Sequence, residues 1–283
     1  MRANQQRVTM RPGTWARGAV AMLAVAIGVS LVTLGSAGGE SALSIYQATL
    51  MEPGQQTPEV STEELRKILA EKSAMVFDAR PYREYAVSHI PGVLNVSAKP
   101  GVPMSQYVSD VAEIGRLVGN NKATPIVLYC NGPFCGKSKR LSAELVEAGY
   151  TNVRRYQLGI PVWRALDGLT EVELEGVLYV LEGDRTAVFI DARDPEEFSA
   201  QTLPGARNLS LSGVKPSKDV GEVKAAKDDG RLPMEDHNTR LIVFGRDGTQ
   251  AKAVAEAIAK EAFHNVADFG GTFDTLIQKT AGR

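Results

Sequence analysis

Only two cysteines occur in the 283 residues, and both fall in one segment, Ile126-Val127-Leu128-Tyr129-Cys130-Asn131-Gly132-Pro133-Phe134-Cys135-Gly136-Lys137-Ser138. It reads as a buried strand, a Gly/Pro-rich loop and a helix. A sulfur at the carboxyl end of such a strand, facing a helix N-terminus, sits where parallel sheets place their ligands. Loop amides and the helix dipole stabilise an anion there. Lys137, Lys139 and Arg140 add positive charge. Cys130 is therefore expected to be a partly ionised, nucleophilic thiolate. Two other readings use the same residues: a loop disulfide between Cys130 and Cys135 with no chemistry of its own, and a redox-active dithiol. The three histidines, His89, His237 and His264, have no metal-ligand spacing with the cysteines, so neither a metal nor a cofactor is predicted.

The elements that must position this loop occur twice. Residues 75–97 (MVFDARPYREYAVSHIPGVLNVS) and 188–210 (VFIDARDPEEFSAQTLPGARNLS) align at an offset of 113, matching Asp78, Ala79, Arg80, Glu84, Pro91, Gly92, Asn95 and Ser97 to Asp191, Ala192, Arg193, Glu197, Pro204, Gly205, Asn208 and Ser210. Each copy of about 110 residues is long enough for its own core. Short β-rich runs alternate with helical patterns, which predicts an α/β fold, a mostly parallel sheet with helices on both faces. In the first copy Ser61 and Glu64 form a capping box ahead of Leu65, Ile68 and Leu69. Strands are expected at 74–77 and 126–129, and a helix at 139–148 with Gly149 as its stop. The second copy repeats this at 187–190, 241–244 and 250–260. Residues 165–174 read as a polar linker, and 215–236, rich in Lys, Asp and Glu, as a solvated surface insertion.

The rest of the composition narrows the class. With 43% hydrophobic and 23% charged residues the chain is globular, and a net charge of −1 offers no general attraction for nucleic acid. The first residues differ: Arg2, Arg7, Arg11 and Arg17 precede an uncharged stretch at 18–35, with small residues around Gly35-Ser36-Ala37. That pattern predicts residues 1–37 to be an export signal or a retained N-terminal membrane anchor, and the remainder to be periplasmic or otherwise extracytoplasmic. The membrane would be met only through that segment. Removing its four arginines takes the net charge from −1 to −5.

These motifs together resemble the rhodanese family of sulfurtransferases: the strand followed by Asp78-Ala79-Arg80, His89-Ile90-Pro91-Gly92, the cysteine at a strand end, and the later Gly159 to Trp163 element. The resemblance runs from about Val60 to the C-terminus and implies tandem rhodanese-like domains at 58–168 and 174–283. In that family the strand-end cysteine takes sulfane sulfur from a donor, holds it as a persulfide among loop amides, and passes it to a thiophilic acceptor. It implies Cys130 as nucleophile, Asn131, Gly132, Phe134, Gly136 and Lys137 as the cradle, and Arg80 as an aid to an anionic donor. The partners implied are a small sulfur-containing anion such as thiosulfate and a small or protein thiol. In the redox reading, rather than by the resemblance, Cys135 is the resolving thiol, expelling sulfide from a Cys130 persulfide or closing a mixed disulfide.

Two features depart from the family. The second copy reads Phe244-Gly245-Arg246-Asp247-Gly248, so Gly245 replaces the cysteine and that copy is expected to be inactive. The loop before Ser138 reads as eight residues, longer than the usual six. Gly136 stands where related phosphatases carry a phosphate-clamping arginine, which argues against phosphatase chemistry. Arg80 also has a structural reading, because its counterpart Arg193 lies in the copy without a thiol. A non-enzymatic binding module is the remaining alternative.

Overall fold

Alternation along each strand dictates how the sheets are covered. In β1 (Met75–Asp78) and β3 (Ile126–Tyr129), Val76, Val127 and Tyr129 enter one buried cluster, while Phe77, Ile126 and Leu128 enter another. Side chains two apart share a face, so a strand apolar at every position needs cover on both sides. The computed structural model describes residues 56–103, 106–133 and 135–281. The expected signal or anchor at 1–37 and Phe134 lie outside the described residues. Among those described, no helix is long and apolar enough to cross a membrane.

The first copy comprises α1 (Thr62–Glu71), β1, α2 (Tyr82–Val87), β2 (Leu94–Asn95), α3 (Asp110–Leu117), β3, α4 (Gly136–Glu147), β4 (Val153–Tyr156) and α5 (Gly159–Ala165). Ser61 caps α1, its Oγ accepting the Glu64 amide at 3.1 Å. The strands are parallel in the order β2-β1-β3-β4, with a parallel bridge from Glu59 to Arg155 at the β4 edge. The second copy follows with β5 (Thr170–Val172), α6 (Leu174–Gly183), β6 (Val188–Asp191), α7 (Pro195–Ala200), β7 (Arg207–Asn208), α8 (Gly221–Asp228), β8 (Leu241–Phe244), α9 (Gly248–Ala259), β9 (Val266–Phe269) and α10 (Phe273–Thr280). Its parallel order, β7-β6-β8-β9-β5, repeats the first.

Three sequence expectations change. The stretch expected to be a linker at 165–174 contains β5, which pairs with β9 and also bridges His89 through two backbone hydrogen bonds, His89 N to Glu171 O at 2.9 Å and Glu171 N to His89 O at 2.8 Å. Its Thr170 and Val172 are buried, whereas Glu171 lies beside His89 of the first copy and opposite Asp268. The expected surface insertion at 215–236 contributes α8, and Val223, Ala226 and Leu232 are in the core. Its many charges mark an amphipathic helix, whose apolar side is narrow. Helix α4 begins at Gly136 rather than residue 139, because glycine, weak inside a helix, is accommodated at its first position. The loop therefore spans six residues, 130–135, not eight.

The copies meet closely. Helices α2 and α6 pack together, and a Cβ on Gly176 would fall 1.9 Å from the Ala86 carbonyl oxygen, so only glycine fits there.

Candidate functional site

Strand order places the cysteine. The chain leaves β1 for β2 on one side and reaches β3 on the other, so the sheet's switch point lies between the carboxyl ends of β1 and β3. Ligands of open α/β sheets bind at such crevices. Asp78 ends β1, and Cys130, 2% exposed, directly follows β3.

The loop then turns tightly. Gly132 adopts φ +110°, and Cys135 donates its amide to the Gly132 carbonyl at 3.0 Å. The start of α5 backs the loop: Ile160 N donates to Cys130 O at 3.3 Å, and a Cβ on Gly159 would lie 2.3 Å from Cys130 O and 2.4 Å from Gly132 N. Gly159, at φ +62°, is a position the loop requires to be glycine. Cys135 is the N-cap of the twelve-residue α4, makes no side-chain capping bond, and is followed by no acidic residue in the first turn. The positive end of that helix is therefore not neutralised by its own sequence. Cys130 and Cys135 are joined as a disulfide, with Cα atoms 6.2 Å apart.

The remaining predicted site residues are distributed around this loop. Asn131 Nδ2 donates to Glu84 Oε2 on α2, tethering the loop to that helix. Gly136 opens α4 with nothing within 4 Å of where a Cβ would stand. Lys137 lies 4.0 Å from Asp110 of α3, and Arg140 lies 3.3 Å from Glu144 within α4, so part of the expected positive charge is already paired. Burial pushes the Asp110 carboxyl up, with Lys137 acting in the opposite sense.

Arg80 is committed elsewhere. Its Nε donates to Asp78 at 3.0 Å, and its Nη2 donates to Asp78 Oδ2 and to the Ser88 carbonyl, both at 2.6 Å. Arg193 repeats this on Asp191 and the Gln201 carbonyl. Burial opposes the charge of Arg80, and Asp78 more than offsets it, so the pKa is raised. Tyr129, unremarked in the sequence, completes the group by donating to Asp78 Oδ2 at 2.6 Å. Burial and Asp78 hold its phenol neutral. The pair Asp78–Arg80 thus fixes the end of β1, and no described contact joins Arg80 to the cysteine loop.

His89 is a fastener between copies. It stacks on Tyr85 with centroids 3.9 Å apart, and its Nε2 lies 3.6 Å from Glu171. That contact, above all, holds the Glu171 carboxyl below its usual range. Trp163 is core, donating Nε1 to Leu169 O at 2.8 Å. Among the described residues no cluster of three or more His, Cys, Asp or Glu could hold a metal ion.

The family model of the rhodanese-like domain matches residues 61–166 and again residues 177–276. The chain belongs to the rhodanese-like family. A mitochondrial protein of Schizosaccharomyces pombe, whose name proposes a thiosulfate sulfurtransferase, is 23% identical over 92 residues, 32% of this chain; the match spans 63% of that relative's length. Among solved structures, a thiosulfate sulfurtransferase of Pseudomonas aeruginosa is 19% identical, covering 80% of this chain and 43% of its own, with a TM-score of 0.34. A 3-mercaptopyruvate sulfotransferase of Escherichia coli is 20% identical, covering 77% of this chain and 99% of its own, also with a TM-score of 0.34. This rhodanese-like chain therefore has two domains of a fold characteristic of sulfurtransferases, and its loop at 130–135 carries both cysteines.

Proposed function

We propose that the first domain is a sulfurtransferase acting through Cys130. The observation that carries this is the placement of Cys130 at the sheet's switch point, beside an α4 N-terminus that lacks both a side-chain cap and an acidic first turn. Such a site favours a thiolate over a thiol. Reduction of the bridge to Cys135 by a dithiol comes first, yielding two thiols and oxidising the reductant to its disulfide. The Cys130 thiolate then attacks the outer sulfur of a donor such as thiosulfate. The donor's S–S bond breaks, and sulfite leaves with the electron pair. An acceptor thiolate next attacks the outer sulfur of the Cys130 persulfide, takes it, and regenerates the Cys130 thiolate. Export of this domain pair to an oxidising compartment, supported by the arginine flank ahead of residues 18–35, belongs to the same proposal.

The disulfide itself favours a second reading, in which Cys130 and Cys135 exchange electrons with other thiols and carry no sulfur. Mass measurement separates the two. The full chain is reduced, freed of reductant and incubated with thiosulfate. Sulfur carriage predicts a gain of about 32 Da in the parent and in Cys135→Ser, reversed by reductant and absent from Cys130→Ser. Return to the disulfide, about 2 Da lighter, with no sulfur uptake by either form, would sink the transferase reading for that donor.

A further inference from the structure

Where the two copies meet, a cavity of about 470 Å³ is lined by four arginines, Arg80, Arg83 and Arg164 from the first copy and Arg240 from the second, with Glu84 as its one carboxylate. Their charges are not equally balanced. Arg80 is held by Asp78, and Arg240 donates to Asp184 Oδ2 at 3.1 Å. Arg83 lies over the Tyr179 ring, 4.8 Å from its centroid. Glu84 already accepts the Asn131 amide. Among the described residues Arg164 has no carboxylate partner. Its Nη2 donates to the neutral Ser88 hydroxyl, and its Nε is buried without any hydrogen-bond partner. A buried guanidinium N–H left unpaired is costly, and proteins normally pair such groups with an anion. Burial, followed by repulsion from Arg240 and Arg80, pushes the Arg164 pKa down to about 9. None of the described loop residues 130–135 lines this cavity.

We propose that the cavity is a binding site for a tetrahedral oxyanion, either a free ion such as sulfate or the terminal group of a small organic sulfonate, gripped by Arg164 and Arg240 across the junction of the two copies. Guanidinium forks match the paired oxygens of such anions. The ligand would supply the countercharge Arg164 lacks and join the copies by a contact additional to β5 and the α2–α6 packing.

Equilibrium dialysis of the full chain with radiolabelled sulfate, at low chloride, tests this. One sulfate per chain is expected, binding saturably at or below about 10 mM. Arg164→Met and Arg240→Gln should each weaken binding roughly tenfold or more, while Arg116→Gln, on the exposed face of α3, leaves it unchanged. Arg164→Met keeps an apolar stem and removes an unpaired charge, and Arg240→Gln leaves Asp184 its bond from Thr186, so an unchanged melting temperature is expected for each and is measured alongside. In a competing arm, benzenesulfonate displacing sulfate more tightly than methanesulfonate identifies an organic ligand, and equal displacement identifies the free ion. No saturable uptake, or uptake undiminished in both arginine variants, overturns the site. The result is independent of whether Cys130 carries sulfur.

Discussion

The two domains share one frame and differ in one loop. Asp78–Arg80 and Asp191–Arg193 have the same bidentate geometry, and Asn95 and Asn208 each donate to the aspartate and arginine carbonyls of their own copy. Both frames therefore serve architecture, since only one stands beside a thiol. After the central strand the first domain uses six residues before its helix and the second uses three, 245–247. The shorter loop closes on itself. Asp247 caps α9, accepting the Gln250 amide at 3.0 Å, and Arg246 N donates to Gln250 Oε1 at 2.8 Å. What α4 leaves open, α9 satisfies internally. The loops share an anchor nonetheless: Asn131 holds Glu84 and Arg246 holds Glu197, residues equivalent in the repeat. Loop length and capping, not the presence of the fold, separate the domain that has a candidate site from the one that does not.

The largest expected effect tests that conclusion directly. In a chain carrying both Cys130→Ser and Gly245→Cys, reduced and exposed to thiosulfate, intact mass is expected to show no added sulfur. A Cβ at residue 245 would lie 3.0 Å from Gln250 Oε1 and 3.1 Å from Ala251 N, in a loop where the Arg246 amide already donates to Gln250 Oε1. Sulfur uptake by the thiol introduced in the second copy would mean that the fold alone suffices. Next comes Gly159→Ala, which drives a methyl into the backbone of the cysteine loop at a positive φ. It is expected to cost about 3 kcal/mol in urea unfolding. The equivalent residue in the second copy is Thr272, at φ −89°, which no six-residue loop crowds.

A smaller effect concerns the strand position at which the copies carry opposite charges. Arg155 stands opposite Glu59, whereas the equivalent Asp268 stands opposite Glu171. Burial first, and Glu171 second, push the Asp268 carboxyl up to about 7. Because the folded pKa lies above the unfolded value of about 3.9, folding binds the proton more tightly, and stability falls as pH rises from about 4 to 7. Asp268→Asn removes that loss. We expect it to be more stable than the parent at pH 8, with the difference shrinking as pH falls through about 7 and vanishing below about pH 4. Thermal melts across that range check it, and a constant difference would show that the carboxyl does not titrate. The smallest effect is expected from Arg246→Gln: its ion pair with Glu197 is exposed, and the melting temperature should not change measurably.

Much of this was legible in the chain itself. The 113-residue repeat, the buried strands ending at Tyr129 and Phe244, and the cysteine on one strand end but not the other follow from residue order and apolar period. Local signals misled where a residue's partner was remote. A polar stretch at 165–174 resembles a linker unless one sees β9 beside it, and the charge-rich 215–236 hides three core side chains. Fold class, duplication and the choice of copy able to hold a thiol were all readable from residue order, because they depend on periodicity and residue type. Only the folded chain shows that Arg80 is spent on Asp78, that Gly159 must back the loop, and that Arg164 and Arg240 face one cavity. Those outcomes depend on which distant groups meet and how completely water is removed between them, neither of which is written in local order.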